Sequence, residues 1–593
     1  MGKFHSFHIP VMGLGYTIDS PVKVAHLGID SVVALANDSL IEKMREFYCG
    51  KFNLPFNPVP TRELDYRCAR IREYLNVLDE IVKRKFEEVK QSALDKGAEL
   101  EKYIDLLPEM SDIKKSFHKL THPHYDVNKV WRWAKENLMP GSIDVNIMTK
   151  LDKENFNKGE KLPQEYNDAH AALRGFATSN LNSSLVLSAG MNPYLYSYIE
   201  HFPDFFPDKG GQMRKKIILK VSDYRSALIQ GKMLAKKGLW VSEYRVESGL
   251  NCGGHAFATD GYLMGPVLEE FKTNRQLLTD TIFEIYSQAI KEKGYIVPET
   301  PYAMKITAQG GVGTADEHRL MLQHYEVDSV GWGTPFLLVP EAATVDEDTM
   351  HLLANAGEDD FYLSNVSPIG IPFNSVRNNT KDIEKMERVK AGNPGSFCTL
   401  QHLKLFRDNE GNPICTASRE YQRQKLAEAE STIADEVLLA RAKQNIYDKV
   451  CLCVGLATSA KLAHGIDTKS DGKAVAICPG PNMAWFDKIV SLKEMTGHIY
   501  GKNNIITRTG RPHMFINELK MYVDYFRKKI EDTEQPINAR GAAQLKTFKN
   551  NLLNGIEYYG HLFNILKGKF QFSFDQTFNQ LETYKAEVQE IEL

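Results

Sequence analysis

Eight short, mostly apolar runs follow one another along the first 333 residues, separated by helical or loop segments. Such runs are typical of strands buried on both faces of a parallel sheet. Eight of them, alternating with helices, match the strand count of a (β/α)₈ barrel. The sequence therefore predicts an α/β TIM barrel. The runs are HIPVM from His8, IDSVVAL from Ile29, IDVNIMT from Ile143, SLVLSAG from Ser184, KIILKVS from Lys216, LWVSEYRVES from Leu239, YAMKITAQ from Tyr302 and DSVGWG from Asp328.

Two segments lie outside the barrel pattern, and 593 residues are too many for one hydrophobic core. Residues 58–140 show apolar positions at a spacing of three to four, which predicts a helical insertion after strand 2. A lid or a packing element is its simplest role. Residues 345–593 form a mixed, mostly helical C-terminal region. The predicted divisions are thus 1–57 for strands 1 and 2, 58–140, 141–344 for strands 3 to 8, and 345–593.

Composition restricts the partners that this chain can bind. A formal net charge of −3 gives no electrostatic reason to expect nucleic acid or an anionic membrane as a partner. No apolar run reaches the roughly 20 residues of a spanning helix, and the N-terminus lacks the apolar core of a signal peptide. We therefore expect a cytoplasmic protein that acts on a small-molecule substrate, and the sequence is compatible with a homo-oligomer.

Two glycine clusters follow predicted strands 7 and 8, where TIM barrels commonly bind phosphate. Glycines allow backbone N–H groups to approach an anion closely, and the next helix adds its positive end. The alternative is that these glycines only form tight βα turns and bind no ligand. A second glycine cluster at the neighbouring strand end favours phosphate binding over this alternative. The residues predicted to bind phosphate in AQGGVGT and VGWGT are Gly310, Gly311, Gly313, Gly333 and Thr334.

A third glycine-rich loop, NCGGHAF, follows predicted strand 6. It places His255 at the C-terminal rim of the barrel, where catalytic groups of this fold lie. Histidine titrates near neutral pH and can therefore take a proton from an acidic carbon. Gly253 and Gly254 keep the loop open, and Cys252 has no neighbour in sequence that would activate its thiol, which favours packing or gating.

Other strand ends supply polar contacts for a planar ligand. The PVMGLG turn would pass beneath a ring through Met12 and Gly13, and Asn146 in strand 3 can hydrogen-bond a ring or a phosphate. Lys220 in strand 5 has two equally good interpretations. It either holds an anionic group of a cofactor or pairs with a barrel-mouth carboxylate such as Glu247.

These motifs together resemble the nitronate monooxygenase family, formerly called 2-nitropropane dioxygenases. The resemblance covers about residues 9–341 and rests on PVMGLG, VNIMT, GLNCGGHAF, AQGGVGT and VGWGTPFLLVPEA. It implies a barrel that binds flavin mononucleotide (FMN), with His255 as the catalytic base. Met12, Gly13 and Asn146 would then contact the isoalloxazine ring and Gly253 would lie near it, while Gly311, Gly313, Gly333 and Thr334 would hold the phosphate.

The segment after strand 8 is also similar to the enoyl reductase subunit of polyunsaturated fatty acid synthases, which uses the same FMN barrel. That resemblance implies reduction of an acyl thioester by NAD(P)H. The nicotinamide would bind transiently, because the chain has no G-x-G-x-x-G fingerprint after a strand. A phosphate-binding barrel enzyme without flavin, or a non-catalytic scaffold, remains compatible with the glycine clusters.

The last third of the chain carries five cysteines that are candidates for zinc or an iron–sulfur cluster. Their spacings match no C-x₂-C pair, and free cysteine is a common buried apolar residue. The sequence therefore predicts buried thiols and no metal. The candidates, if a metal is bound, are Cys398, Cys415, Cys451, Cys453 and Cys478.

Overall fold

The computed structural model describes residues 4–95, 97–122, 124–188, 190–253, 260–531, 538–570 and 574–593. Eight parallel strands close into a barrel in which each strand pairs with its neighbours in sequence and β1 pairs with both β2 and β8. The predicted (β/α)₈ barrel is confirmed. Its strands are β1 (Phe7–Ile9), β2 (Asp30–Ala34), β3 (Ile143–Ile147), β4 (Ser183–Leu187), β5 (Lys215–Val221), β6 (Val241–Glu247), β7 (Lys305–Gln309) and β8 (Ser329–Gly331).

Side chains of strand β6 point alternately to the outside and to the inside of the barrel. Tyr244 faces outward, where its ring packs against Phe271 of an outer helix. Glu243 accepts hydrogen bonds from Arg245 Nη2 of the same strand at 2.7 Å and from Thr307 Oγ1 of the neighbouring strand at 2.6 Å. The interior is therefore more polar than the apolar runs suggest. The same inward face ends with a buried carboxylate at the C-terminal end of the strand.

The insertion between β2 and β3 is helical, as predicted. Its longest helix, α3 (Tyr66–Gln91), buries one side against the helices Asp38–Lys51 and Asp168–Ala177 because its apolar residues recur every three or four positions. Tyr74 of α3 donates a 2.7 Å hydrogen bond to the Ile18 carbonyl and so ties the insertion to the turn after β1. The first six helices are α1 (Ser20–Val24), α2 (Asp38–Lys51), α3 (Tyr66–Gln91), α4 (Ala98–Leu106), α5 (Asp112–Thr121) and α6 (Val127–Asn137).

The remaining barrel strands are joined by crossover helices that cover the outside of the barrel. These are α7 (Asp168–Ala177), α8 (Pro193–Ile199), α9 (Tyr224–Ala235), α10 (Met264–Thr273), α11 (Arg275–Glu292) and α12 (Ala315–Gln323). Short 3₁₀ helices lie at Ala25–Leu27, Ser92–Asp95, Gln164–Tyr166, Pro203–Phe205, Thr334–Leu338, Glu358–Asp360 and Pro481–Trp485. A two-residue hairpin pairs Phe156–Asn157 with Glu160–Lys161.

The C-terminal region is mostly helical, as predicted, and it packs onto the mouth of the barrel. Tyr16, just after β1, donates a 2.6 Å hydrogen bond to the Ala476 carbonyl. His464 contacts the buried Asp19 carboxylate at 2.8 Å. Two hairpins pair Phe361–Ser364 with Phe373–Val376 and Phe406–Arg407 with Pro413–Ile414. The helices are α13 (Glu347–Asn355), α14 (Thr380–Lys390), α15 (Arg419–Thr432), α16 (Glu436–Tyr447), α17 (Leu452–Ala463), α18 (Leu492–Ile499), α19 (Met514–Glu531), α20 (Ala539–Leu566) and α21 (Phe574–Glu590).

Within the described residues, no helix combines the length and the apolar character that crossing a bilayer requires.

Candidate active site at the barrel mouth

A cavity of about 930 Å³, including the open space at its entrance, lies over the C-terminal ends of the strands. Residues at the ends of β1 to β6 form its floor, and the C-terminal region forms its roof through residues such as Phe373 and Leu456. This is the face on which TIM-barrel enzymes carry their active sites. Four of the predicted cofactor-binding residues line it, namely Gly13, Asn146, Lys220 and Gly253.

The carboxylate of Glu247 organises the polar side of this cavity. Its Oε1 accepts hydrogen bonds from Lys220 Nζ at 3.0 Å, Asn251 Nδ2 at 3.0 Å and Gln309 Nε2 at 2.5 Å. The Lys220 and Glu247 side chains are 8% and 2% exposed, so the pair is well shielded from water. Of the two interpretations of Lys220, the structure shows the ion pair. Such a buried pair is rigid and can orient a ligand at the cavity floor.

Asn146 is the polar group at this site with an unmet bonding requirement. Its side chain is 4% exposed, and its Oδ1 has no hydrogen-bond partner among the described residues. A buried polar atom without a partner is unfavourable, and in a native structure it often marks a place for a ligand or a water molecule. A donor group on a polar ring edge would satisfy this oxygen.

The glycine turn after β7 is closed by the helix that follows it. Glu317 of α12 accepts the backbone N–H groups of Gly313 at 2.8 Å and Thr314 at 3.2 Å, forming a capping box with Thr314. Its carboxylate also forms two hydrogen bonds with Arg511, at 2.7 and 2.9 Å. The anion at this helix end is therefore a side chain of the protein itself.

Burial of the Glu317 carboxyl raises its pKa, but the Arg511 guanidinium, His513 and the Gly313 amide together hold that pKa below its ordinary value. Arg511 also fills the space beside Gly313, where a Cβ would lie 2.5 Å from Nη2. Glu317 is thus ionised at neutral pH. A phosphate could reach the Gly313 and Thr314 amides only by displacing it.

A segment of the C-terminal region, Cys478–Asn482, covers the rest of the predicted phosphate site. Thr334 Oγ1 donates to the Pro479 carbonyl at 2.8 Å, and the Cys478 carbonyl accepts the amide of Gly253 at 3.1 Å. Asn482 Nδ2 donates to the Val312 carbonyl at 3.1 Å. We call Cys478–Asn482 the covering segment.

These observations decide how well a flavin fits. The ring end fits, because the cavity offers the unpaired, buried Asn146 Oδ1 together with a fixed lysine–carboxylate pair. The phosphate end does not fit in this arrangement. None of the predicted phosphate-binding residues Gly310, Gly311, Gly313, Gly333 and Thr334 lines the cavity. The amides of Gly310, Gly311 and Gly333 nevertheless have no acceptor among the described residues.

The loop after β6 packs directly on the turn after β1. Gly253 has a φ of 68°, and a Cβ there would lie 2.2 Å from the Met12 carbonyl carbon, so only glycine fits. Met12 is itself fully buried. Burial raises the pKa of the Cys252 thiol far above its ordinary range, in keeping with packing rather than nucleophilic chemistry. The predicted base His255 and its neighbour Gly254 lie outside the described residues.

Sequence reasoning missed the groups that close the phosphate site. Thr314 and Glu317 form a T-x-x-E capping box, a local pattern that the sequence does display. Arg511 lies 194 residues further along the chain, and no local pattern connects it to Glu317. Only the folded chain brings the two together.

No family model matches the sequence, and a search of curated proteins returns no match. Among solved structures, the chain is similar to the enoyl reductase domain of MlnA from the macrolactin biosynthesis cluster of Bacillus amyloliquefaciens. The identity is 12%, 67% of this chain and 87% of that chain are covered, and the TM-score is 0.33.

Two further solved structures are similar to this chain. FabK from Thermotoga maritima has 13% identity and a TM-score of 0.28, with 68% of this chain and 83% of that chain covered. The nitroalkane oxidase of Streptomyces ansochromogenes has 8% identity and a TM-score of 0.32, with 84% and 94% covered. Likenesses this distant establish nothing about the activity of this chain.

Proposed function

We propose that this chain is an FMN-dependent oxidoreductase of the nitronate monooxygenase-like class, which oxidises a nitronate or a similar carbon acid. The cavity over the strand ends, with the unpaired Asn146 Oδ1 at its floor, carries the proposal. A flavin bound there would supply a redox centre that accepts an electron pair from the substrate. The proposal includes a small-molecule substrate, a cytoplasmic location and no nucleic-acid or membrane partner.

The residues of the chain have separate tasks in this proposal. Asn146 accepts a hydrogen bond from the ring edge, and Lys220 presents a positive charge beside it while Glu247 keeps the ammonium group in place. His255 is the proposed base that takes a proton from the substrate carbon. The C-terminal region excludes water from the cavity with apolar side chains such as Phe373 and Leu456.

The phosphate end sets a condition on binding. Since the covering segment lies over the glycine turns, FMN binds there only when this segment withdraws and frees the amides of Gly310, Gly311 and Gly333. The proposal therefore links flavin loading to a movement of Cys478–Asn482 relative to the barrel.

The visible spectrum of the purified chain, before and after heating, tests the proposal. We expect a yellow protein that releases FMN when it unfolds, and an Asn146→Ala variant that holds flavin more weakly. Asn57→Ala, outside the barrel mouth, serves as a matched control and should leave flavin content unchanged. A colourless protein that takes up no added FMN would contradict the proposal.

A second candidate, reduction of an enoyl thioester by NAD(P)H, is favoured by one observation. A mostly apolar cavity, about 670 Å³ with the open space at its entrance, adjoins the first and shares five of its lining residues. The shared residues are Leu14, Met148, Leu151, Ile369 and Leu456. A nitronate with a short chain has no use for this volume, whereas an acyl chain would fill it.

A chain-length series separates the two candidates. Enoyl reduction predicts NAD(P)H consumption whose kcat/KM rises as the acyl chain of the enoyl thioester lengthens. Nitronate oxidation predicts turnover of short nitronates in air without NAD(P)H. An enzyme indifferent to acyl length would count against the apolar cavity as a chain-binding site.

A further inference from the structure

The mostly apolar cavity that adjoins the barrel mouth also has polar groups in its wall, and we call it the side cavity. Most of the wall consists of aliphatic side chains such as Leu35, Ile147 and Leu452. Four polar side chains complete it, and we call them the polar lining. They are Arg67, Asp168, Ser367 and His402. The first two come from α3 and α7 and the last two from the C-terminal region, so the side cavity forms only where these parts of the chain meet.

Ser367 contributes a buried hydroxyl group to the polar lining. It lies in the loop between the hairpin strands Phe361–Ser364 and Phe373–Val376, and it is 0% exposed. Its Oγ has no hydrogen-bond partner among the described residues. A buried hydroxyl group without a partner is unfavourable, and in a cavity wall it indicates that a bound molecule completes its hydrogen bonding.

His402 contributes an imidazole ring in the same condition. Its side chain is 13% exposed, and neither ring nitrogen has a hydrogen-bond partner within the described part of the chain. Nδ1 lies 3.5 Å from Oδ2 of Asp168. Because a carboxylate favours a proton on the nitrogen that faces it, the neutral ring carries its proton on Nδ1. Nε2 is then a buried acceptor that a ligand can use.

The charges of the polar lining are already balanced. Nη1 of Arg67 lies 2.8 Å from Oδ1 of Asp38, and Nε of Arg67 donates to the Asp168 carbonyl at 3.0 Å. Oδ1 of Asp168 accepts a hydrogen bond from Asn155 Nδ2 at 2.9 Å and lies 3.8 Å from Arg67 Nε. A ligand group recognised here is therefore neutral, since an additional charge would be buried without a counter-ion.

Serine, histidine and aspartate are also the residues of a hydrolytic triad, but these three do not form one. In a triad the serine hydroxyl group is hydrogen-bonded to the imidazole ring that takes its proton. Neither Ser367 Oγ nor the ring of His402 has a partner among the described residues, so the two are not bonded to each other. The polar lining is thus arranged to bind a ligand rather than to attack it.

We propose that the side cavity binds an acyl chain that carries a hydroxyl group, and that His402 and Ser367 recognise this hydroxyl group. The side cavity shares five lining residues with the barrel-mouth cavity, so an acyl chain whose thioester lies at the barrel mouth can continue into it. Its methylene groups are buried against the aliphatic wall. A hydroxyl group both donates and accepts, which suits the acceptor Nε2 of His402 and the Oγ of Ser367.

The choice of an acyl thioester rests on enoyl reduction, the second candidate for the proposed function, whereas recognition of a hydroxyl group rests on the side cavity alone. Binding is therefore measured with saturated thioesters of N-acetylcysteamine, which have no double bond to reduce. A series of equal chain length carries the hydroxyl group on successive carbons, and the unsubstituted thioester is the reference. Isothermal titration calorimetry of the full-length protein, as purified, gives each affinity.

We expect one position of the hydroxyl group to bind about three- to tenfold more tightly than the reference, because only that position reaches the polar lining. In a wholly apolar site, a hydroxyl group would lose its hydrogen bonds to water and weaken binding at every position. The sign of the effect therefore separates recognition of the hydroxyl group from recognition of the acyl chain alone.

Variants locate the recognition. Ser367→Ala and His402→Leu should lose the preference for the hydroxylated chain and keep the affinity for the reference. Ser431→Ala and His351→Leu, at exposed positions of α15 and α13, are matched controls and should keep the preference. Ser367→Ala removes an unpaired hydroxyl group, so its melting temperature should not fall. If a variant does not fold, the series on the wild-type protein decides.

Three results would overturn the proposal. The first is a reference thioester that binds more tightly than every hydroxylated one. The second is a hydroxyl preference that persists unchanged in both folded variants. The third is a protein that binds none of the thioesters. A protein that holds no flavin but shows the expected preference would contradict the proposed function and leave this proposal in place.

Discussion

Replacing Arg511 by leucine should leave the buried Glu317 carboxylate without its counter-ion. The two side chains are 7% and 3% exposed, and they share two hydrogen bonds of 2.7 and 2.9 Å. Removing one partner of a buried ion pair costs about 3–5 kcal/mol. The backbone N–H groups of Gly313, Thr314 and Met514 still solvate the carboxylate, so we expect about 3 kcal/mol.

The pH dependence of this loss follows from the lowered pKa of Glu317. A carboxyl whose folded-state pKa is depressed contributes stability that is complete above its unfolded pKa, about 4.3, and lost as pH falls through the folded value. The difference in free energy of unfolding between wild type and Arg511→Leu should therefore be largest near neutral pH and shrink in acid.

Urea denaturation, followed by tryptophan fluorescence at several pH values, measures the effect. Adding Glu317→Gln to Arg511→Leu should recover part of the loss, since a neutral amide needs no counter-ion, and the coupling should reach about 1–3 kcal/mol. Arg319→Leu removes an exposed pair on the same helix and should cost less than about 1 kcal/mol. An Arg511→Leu cost as small as that control, or one independent of pH, would refute this reasoning.

Two further predictions concern the barrel mouth. His255→Ala should retain bound flavin but lose most turnover, about 10²-fold or more in kcat, because a general base is missing; unchanged turnover would remove His255 from the mechanism. Gly253→Ala should weaken flavin binding and lower the melting temperature, because its Cβ would lie 2.2 Å from the Met12 carbonyl carbon; a variant with unaltered affinity would show that this loop is free to move.

The barrel was predictable from the sequence because parallel strands buried on both faces leave a strong local signal. The eight predicted runs each overlap one strand of the closed barrel. The helical insertion was also predictable, because the apolar residues of α3 recur every three or four positions. The polar interior of β6 was not, since the hydrogen bond from Thr307 of β7 to Glu243 forms only in the folded sheet.

The candidate site was predictable only in part. The strand ends located the cavity and its residues Asn146 and Lys220, because the fold itself brings strand ends together. The sequence did not show that Arg511 reaches Glu317, since distant segments meet only through tertiary packing.

Titration of the flavin-free chain with FMN and with riboflavin, followed by quenching of flavin fluorescence, tests the central claim most directly. The account predicts one site per chain, occupied by both molecules through the ring, with FMN at least about tenfold tighter because phosphate gains charge-assisted bonds from the freed amides. No quenching by either flavin would contradict the assignment of the barrel mouth. Equal affinity for the two would contradict a phosphate site at the glycine turns.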